Sequence, residues 1–334
     1  MKKYKKNIAW LLFIACGFLV GIFSENIISM IFVDSDVVPE KKYSLISPDL
    51  IEEWTWKKYI PFELNTVKKI FETIELPNPE ISLWVYVRNL DNNWPWFGIH
   101  EDEIFAPIET LKMPLFIAYL KWSEENPAIL KKTITVPSYE AAKDATFTQG
   151  VDMLLDQNIL DENKTYTIER LLTEMMIGSS DQATIALREE IDPAYLLRVH
   201  NELGIILPGK KNIEGYISLK EYSTFFRILY NADYLSPKSS EFALNLLTQT
   251  DFSEGISYGV GSQVVLANKS GERIYSKDDK RVHQIHDCGI VYYSEYPYIV
   301  CITGHGDDVS KLPRIIGETA KIIQEEITLA YPPQ

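Results

Sequence analysis

The spacing of hydrophobic and polar residues changes several times along the chain, and each spacing predicts a different element. Residues 64–76 and 166–177 carry apolar side chains at intervals of three and four, which is typical of amphipathic helices. Residues 81–90 alternate between apolar and polar, and after a short polar turn residues 94–99 read as a partner strand. From about residue 105 to residue 250 the pattern is predominantly helical.

The last part of the chain returns to short apolar runs. Residues 263–267, 288–293 and 298–303 have the composition of strands, and residues 313–329 have the spacing of a closing helix. Two early strands and three late ones predict one antiparallel, five-stranded sheet. The fold class is therefore α+β of the αβα type, with helices on both faces of the sheet and an all-helical subdomain inserted between its two parts.

The domain boundaries follow from this order of elements. We expect a folded domain over residues 61–334, with a sheet part at about 61–105 and 256–334 and a helical part at about 106–255. Residues 35–60 are polar and charged, and two prolines interrupt them. That composition predicts a stalk in front of the domain.

The N-terminus predicts a membrane anchor. Four lysines occur within the first six residues, and two apolar runs follow at residues 8–23 and 27–33. Together these runs are long enough to span a bilayer, and no Ala-x-Ala cleavage site is visible. A buried core helix would not need four lysines at its start. We therefore predict a single signal-anchor helix within residues 1–34, with the N-terminus in the cytoplasm and the main domain outside the cell membrane.

Charge and cysteine content narrow the remaining possibilities. The formal net charge of the 334 residues is −14, which excludes nucleic-acid binding by counterion release. Of the three cysteines, Cys16 lies in the predicted span, while Cys288 and Cys301 lie on strands that should pair. In an exported protein, a disulfide between Cys288 and Cys301 is possible. Two separate buried thiols are the favoured reading.

Three short segments stand out as candidates for chemistry. In the first, Glu109 stands three residues before Lys112, at the start of a helix that is apolar nearly throughout. The second joins two predicted helices, and the third follows a predicted strand. In sequence, these two are Ser180-Asp181-Gln182 and Lys269-Ser270-Gly271. On its own, the second segment would simply be the cap of the helix that begins at Gln182.

Together, and in this order, the three segments resemble the Ser-x-x-Lys, Ser-Asp-Asn and Lys-Thr-Gly elements of class A β-lactamases and penicillin-binding proteins. The resemblance covers about residues 62–330. It implies that Lys112 takes the proton of the nucleophile and that Ser180 relays a proton to the departing nitrogen. It also implies that Lys269, with Ser270 and Gly271, binds the substrate carboxylate, and that Gln182 stands in for the asparagine.

The departures from that family matter as much. Glu109 occupies the position of the serine nucleophile, and a carboxylate attacking an amide would form a high-energy anhydride. The family's Glu-x-x-Leu-Asn loop, which supplies the deacylation base, is missing. The loop between Leu203 and Ser218 is short, and Glu214 is its one carboxylate. An acyl-enzyme formed here would be hydrolysed slowly.

Two hypotheses of function follow. The first is a membrane-anchored, catalytically impaired homologue that binds a cell-wall peptide, a β-lactam-like ligand or a protein partner. The second is an active hydrolase of the β-lactamase or D,D-peptidase type that uses another nucleophile, for which Ser180 is the candidate. The five histidines show no metal-ligand spacing and no phosphate-binding glycine loop is visible, so neither a metal nor a cofactor is predicted.

Overall fold

Strands from both ends of the folded region meet around a block of helices. The computed structural model describes residues 43–47, 63–90, 96–105, 112–138, 160–205, 217–277 and 280–332. Its strands are β1 (Ser82–Asn89), β2 (Trp96–Ile99), β3 (Ile104–Phe105), β4 (Thr133–Thr135), β5 (Thr165–Thr167), β6 (Ile217–Ser218), β7 (Val265–Lys277), β8 (Lys280–Tyr292) and β9 (Tyr298–Gly306). Its α-helices are α1 (Glu63–Ile70), α2 (Lys112–Glu125), α3 (Ile168–Ile177), α4 (Asp181–Glu190), α5 (Pro193–Glu202), α6 (Leu219–Asn231), α7 (Pro237–Leu247), α8 (Ile256–Val260) and α9 (Leu312–Ala330).

Five of these strands form the main sheet, in the order β2-β1-β9-β8-β7. Every neighbouring pair in it is antiparallel. The predicted α+β fold with a five-stranded antiparallel sheet is thereby confirmed. β7 is an edge strand, so one side of its backbone is not used by the sheet as described.

The two faces of the sheet bury different cores, as the alternation of side chains along each strand requires. Val85 and Ile302 face the terminal helices α1 and α9. Tyr86 and Cys301, one position away on the same strands, face the helical insertion and pack with residues such as Phe226 of α6. The sheet therefore joins two apolar cores, and the insertion stands over one face of it.

Strands β7 and β8 are longer than the sequence predicted. The apolar run that suggested a strand ends at Ala267, yet β7 continues to Lys277, paired with β8 throughout. Backbone hydrogen bonds hold an edge strand whether or not its side chains are apolar, so the hydropathy pattern underestimated its length. Lys269 consequently lies within the strand rather than at its end.

The stretch predicted as a stalk is described only at residues 43–47, and these pack on the domain. Leu45 and Ile46 are buried, the backbone N–H of Ser47 donates to the carbonyl of Tyr230 at 2.7 Å, and Ser44 donates to the carboxylate of Glu241. The predicted anchor, residues 1–34, lies outside the described residues. Within the residues that the structure does describe, no helix has the length and apolar character needed to cross a membrane.

Cys288 and Cys301 are direct neighbours across β8 and β9, and the structure joins them as a disulfide. Both residues are fully buried against the helical insertion. The favoured reading of two separate thiols is therefore wrong. Whether their side chains met depended on the strand register, which pairs these two residues directly.

Candidate active site

Helix α2 places Lys112 in the interior at its first residue. The lysine is 1% exposed, and the side chains that follow it, up to Leu120, are all buried. A buried ammonium must find acceptors, because leaving it unpaired in an apolar core is very costly. Glu109, the predicted nucleophile position, lies outside the described residues.

The acceptors for Lys112 come from the turn between α3 and α4. Its Nζ donates to the backbone carbonyl of Ser179 at 2.5 Å and lies 3.1 Å from Oδ1 of Asp181. The Asp181 side chain is 16% exposed, so the pair is largely shielded from water. A carboxylate at this distance favours the charged form of the amine.

Backbone geometry at Ser179 makes this arrangement possible. Helix α3 ends at Ile177, Gly178 is its C-cap, and Ser179 then adopts a φ of 54°. This left-handed conformation costs a non-glycine residue about 1–2 kcal/mol. Such strained residues concentrate at functional sites. The turn aims the carbonyl and the hydroxyl of Ser179 at two different lysines.

The second lysine is Lys269 on the edge strand β7. It is 1% exposed, and its Nζ donates to the hydroxyl of Ser179 and, at 3.1 Å, to the backbone carbonyl of Ser270. Ser179 therefore bridges the two cations, with its carbonyl on Lys112 and its hydroxyl on Lys269. Ser270 and Gly271 follow along the same strand, opposite Asp287 and His286 of β8.

The structure brings Lys112 and Lys269 to the turn that carries Ser180, but the serine that contacts both lysines is Ser179. The side chain of Ser180 is fully buried, and its oxygen accepts from the N–H of Ala183 at 3.4 Å as the N-cap of α4. Ser179 takes the place predicted for Ser180. Because two serines are adjacent, the motif could begin at either Ser179 or Ser180. Ser180 is the one that caps the helix.

Gln182 also differs from its predicted place in the substrate site. Its side chain is fully buried, its Oε1 accepts from the N–H of Leu160 at 2.9 Å, and its Nε2 donates to the carbonyl of Pro137 at 3.0 Å. The amide thus ties together two loop segments of the helical part. In the frame that begins at Ser179, the third position is Asp181, which the sequence had placed at the second position and to which it had assigned no role.

A buried carboxyl group lies on the other face of the sheet, behind Lys269. Burial raises the pKa of Asp287 to about 6, although the side chain of Asn268, the N–H of Ile256 and the charge of Lys269 all favour its ionised form. The donors lie at 2.8 Å for Asn268 Nδ2 and 2.9 Å for the N–H of Ile256. Asn268 in turn accepts from the hydroxyl of Thr250 at 2.8 Å. This chain fixes the edge strand next to Lys269.

No cluster of histidine, cysteine or acidic side chains able to hold a metal occurs in the described parts of the chain. The chemistry available is that of two buried cations around one strained serine. Such a centre attracts an anionic group, and the unused side of β7 adds backbone donors and acceptors beside it. Lys112, however, already faces a carboxylate.

Comparison with known proteins agrees with this fold. The model of the β-lactamase enzyme family matches residues 66–327. The structure of PBP-A superposes with a TM-score of 0.63 at 19% identity, covering 82% of this chain and 100% of PBP-A. A PBP-A mutant solved as the acyl-enzyme with penicillin G gives the same TM-score at 18% identity, covering 81% of this chain and all of that one.

Solved β-lactamases are similar to the same extent. The enzyme from Sphaerobacter thermophilus has a TM-score of 0.63 and 18% identity, covering 82% of this chain and 100% of its own. The enzyme from Chitinophaga pinensis has a TM-score of 0.63 and 16% identity, covering 78% and 98%. At these identities the structural likeness shows the fold alone. No curated protein sequence matches the chain. The family model spans most of the chain, which therefore belongs to the β-lactamase enzyme family.

Proposed function

We propose that this protein is a membrane-anchored, extracytoplasmic member of the family that binds its ligand without efficient turnover. The observation that carries the proposal is the ion pair between Lys112 and Asp181, at 3.1 Å. In the family's reaction the corresponding lysine accepts the proton of the nucleophile, and only a neutral amine can do that. The carboxylate of Asp181 keeps this amine charged.

The sequence supplies a second impediment. Glu109 stands where the family has its nucleophilic serine. A carboxylate at that position yields no stable ester with a β-lactam or a peptide. Nucleophile and base are thus both altered, whereas the cation predicted to bind the substrate carboxylate, Lys269, is retained. A replaced nucleophile and a base paired with a carboxylate, beside a retained binding group, are the pattern expected of a binding protein.

The class of ligand follows from Lys269 and from the edge strand that carries it. A peptide can extend along the unused side of β7 and pair with its backbone. Its terminal carboxylate would then lie close to the Lys269 ammonium. A cell-wall stem peptide has this shape and charge, and a penicillin imitates its end. The acyl-enzyme that a PBP-A mutant forms with penicillin G supports this ligand class for a protein of the same fold.

The direct experiment titrates the full-length protein in detergent with a synthetic cell-wall stem peptide, by calorimetry. Lys269→Gln should weaken binding about tenfold or more, because it removes a charged partner. Lys311→Gln is the matched control, because Lys311 is a half-exposed lysine paired with Glu80. Equal loss in both variants would refute binding at this cleft, and no binding by the wild type would refute the ligand class.

An active hydrolase with another nucleophile is the second candidate. The observation in its favour is the hydrogen bond from Lys269 to the hydroxyl of Ser179, since a neighbouring cation can activate a serine. Ser180, the original candidate, is buried and used as a helix cap. Intact-mass analysis after incubation with penicillin G decides between the two. An adduct on the wild type that disappears in Ser179→Ala would establish the hydrolase.

The anchor is proposed from the sequence, in which four lysines precede the apolar runs of residues 8–33. Protease treatment of intact cells should then digest the main domain from outside, while the first residues stay protected. Recovery of a soluble form that begins after residue 23 would contradict the anchor.

A further inference from the structure

A second concave site lies well away from the two lysines. It is a cavity of about 470 Å³ between β1, the short β3–β6 pair and α6. In the main sheet, β9 and β8 separate β1 from the strand that carries Lys269. Three strand spacings correspond to about 15 Å. The cavity is therefore distinct from the candidate active site.

Two arginines place positive charge in the lining of this cavity. Arg88 projects from β1 on the same face as Tyr86, and Arg227 projects from α6, and both line the cavity. Each is partly buried. Neither forms an ion pair with a carboxylate in the part of the chain that the structure describes.

The acidic groups that also line the cavity are already engaged. Asp102 lies 3.3 Å from the Nζ of Lys220. The carboxylate of Glu221 accepts from the backbone N–H of Ser218 at 2.8 Å and from its hydroxyl at 3.1 Å, in the capping box of α6. Among the described lining residues, Lys220 and Asp102 balance each other, so the two guanidinium groups exceed the single charge of Glu221 and leave the lining with a net positive charge. In a chain with a net charge of −14, a cavity whose described lining is net positive is unexpected on grounds of solubility alone.

We propose that this cavity binds a small ligand through an oxyanion group, either a carboxylate or a phosphate. A guanidinium group donates two parallel hydrogen bonds to such a group, and two guanidinium groups can hold it from two sides. The hydroxyls of Ser223 and Thr224 donate to the carbonyl of Lys220, so the arginines supply the donors for the ligand. This site is additional to the proposed function.

The surroundings also limit the ligand. The next depression is lined by residues 100–104, which include Glu101, Asp102 and Glu103. Any part of the ligand extending that way would meet carboxylates, and a second anionic group there would be repelled. The site therefore selects a ligand whose remainder is neutral or cationic, and it rejects polyanions.

The test titrates the full-length protein in detergent with inorganic phosphate and, separately, with acetate, at constant ionic strength, by calorimetry. The wild type should bind at least one of the two probes saturably, and the tighter one identifies the group. Arg88→Gln and Arg227→Gln should each weaken that binding about tenfold, as expected for a lost hydrogen bond to a charged group. Arg227→Lys keeps the charge but loses the two parallel hydrogen bonds of the guanidinium group, so it should weaken anion binding less than Arg227→Gln. Partial binding by this variant shows that the loss in Arg227→Gln is not caused by misfolding.

Arg314→Gln is the matched control, because Arg314 is an exposed arginine at the start of α9, paired with Glu318. It should bind like the wild type. The proposal is overturned if the wild type shows no saturable binding, if Arg314→Gln weakens binding as much as the cavity variants, or if the cavity variants bind normally. It is equally overturned if Lys269→Gln abolishes the binding, because the anion would then occupy the active-site cleft.

Discussion

The Nζ of Lys112 lies 3.1 Å from Oδ1 of Asp181, so the buried lysine at the start of α2 meets a carboxylate from the start of α4. In the family that this chain resembles, an asparagine occupies the third position of the serine motif. An amide is neutral and does not hold the proton of a neighbouring amine. A carboxylate favours the charged form of such an amine, and the proposal that Lys112 is silenced as a base rests on this one change.

The two adjacent serines should give different results when each is changed to alanine. Ser180→Ala removes the N-cap of α4 and should lower the free energy of unfolding by about 1 kcal/mol. It should leave the affinity for a stem peptide unchanged. Ser179→Ala removes the acceptor that positions Lys269, and it should weaken peptide binding about tenfold. Denaturant unfolding and calorimetry measure both effects, and the reverse pattern would restore Ser180 as the active-site serine.

Gln182 should prove structural. Gln182→Ala leaves the N–H of Leu160 and the carbonyl of Pro137 without the amide that each contacts, and it should lower the free energy of unfolding by about 2 kcal/mol. Gln249→Ala, at a residue whose amide bonds only within its own exposed turn, is the control and should change it little. A change in peptide affinity without a loss of stability would return Gln182 to the ligand site.

Asp287 should make part of the stability depend on pH. Its pKa in the folded protein is raised to about 6 from an ordinary value of 3.8, so the folded state holds this proton more tightly than the unfolded state does. The contribution of Asp287 to the free energy of unfolding therefore increases as the pH falls through 6 and levels off below 4. Between pH 7.5 and pH 4.5 the gain should be about 2 kcal/mol.

Other carboxylates add their own pH dependence, so the measurement is a comparison. Asp287→Asn should lose this gain relative to the wild type in urea unfolding at the two pH values. Asp161→Asn, at an exposed residue paired with Lys164, should keep it. An unchanged difference between the two pH values in Asp287→Asn would show that the group titrates normally.

The disulfide predicts how many free thiols the protein has. The chain has three cysteines, and Cys288 is bonded to Cys301, so alkylation of the denatured, unreduced protein should label Cys16 alone. Peptide mass spectrometry locates the label. Cys301→Ser is the control and should expose Cys288 as a second reactive thiol. Labelling of all three cysteines in the wild type would contradict the bond.

The number of strands in the main sheet and their antiparallel direction were predictable, because they depend on hydropathy patterns that the residues carry locally, whereas the strand order was not predicted. The alternating run around Val85 and the spacing of the late strands were enough to predict five antiparallel strands. The short pairs β3–β6 and β4–β5 were not predicted. Each has only two or three residues per strand, too few to show a period.

The site was predictable at the level of segments but not of side chains. The order of the three motifs was enough to predict that Lys112 and Lys269 lie close together, and in the structure both contact the turn at Ser179. The contact with Asp181 depends on the left-handed backbone of Ser179. A glycine there would have signalled such a turn, whereas a serine gives no signal because it rarely adopts that conformation. The helix cap at Ser180 then decided which serine stays available.

The central claim, that Asp181 holds Lys112 in the charged form and so silences the site, can be tested by covalent labelling with a fluorescent penicillin. The wild type and Asp181→Asn, both with Glu109, should show no label. Glu109→Ser should label slowly, and Glu109→Ser with Asp181→Asn should label about a hundredfold faster, within the range of general-base catalysis. Glu109→Ser with Asp192→Asn, a change at the N-cap of α5 that keeps the cap, is the control and should label as slowly as Glu109→Ser alone. Equal labelling rates for Glu109→Ser with and without Asp181→Asn, or rapid labelling of the wild type, would contradict the account.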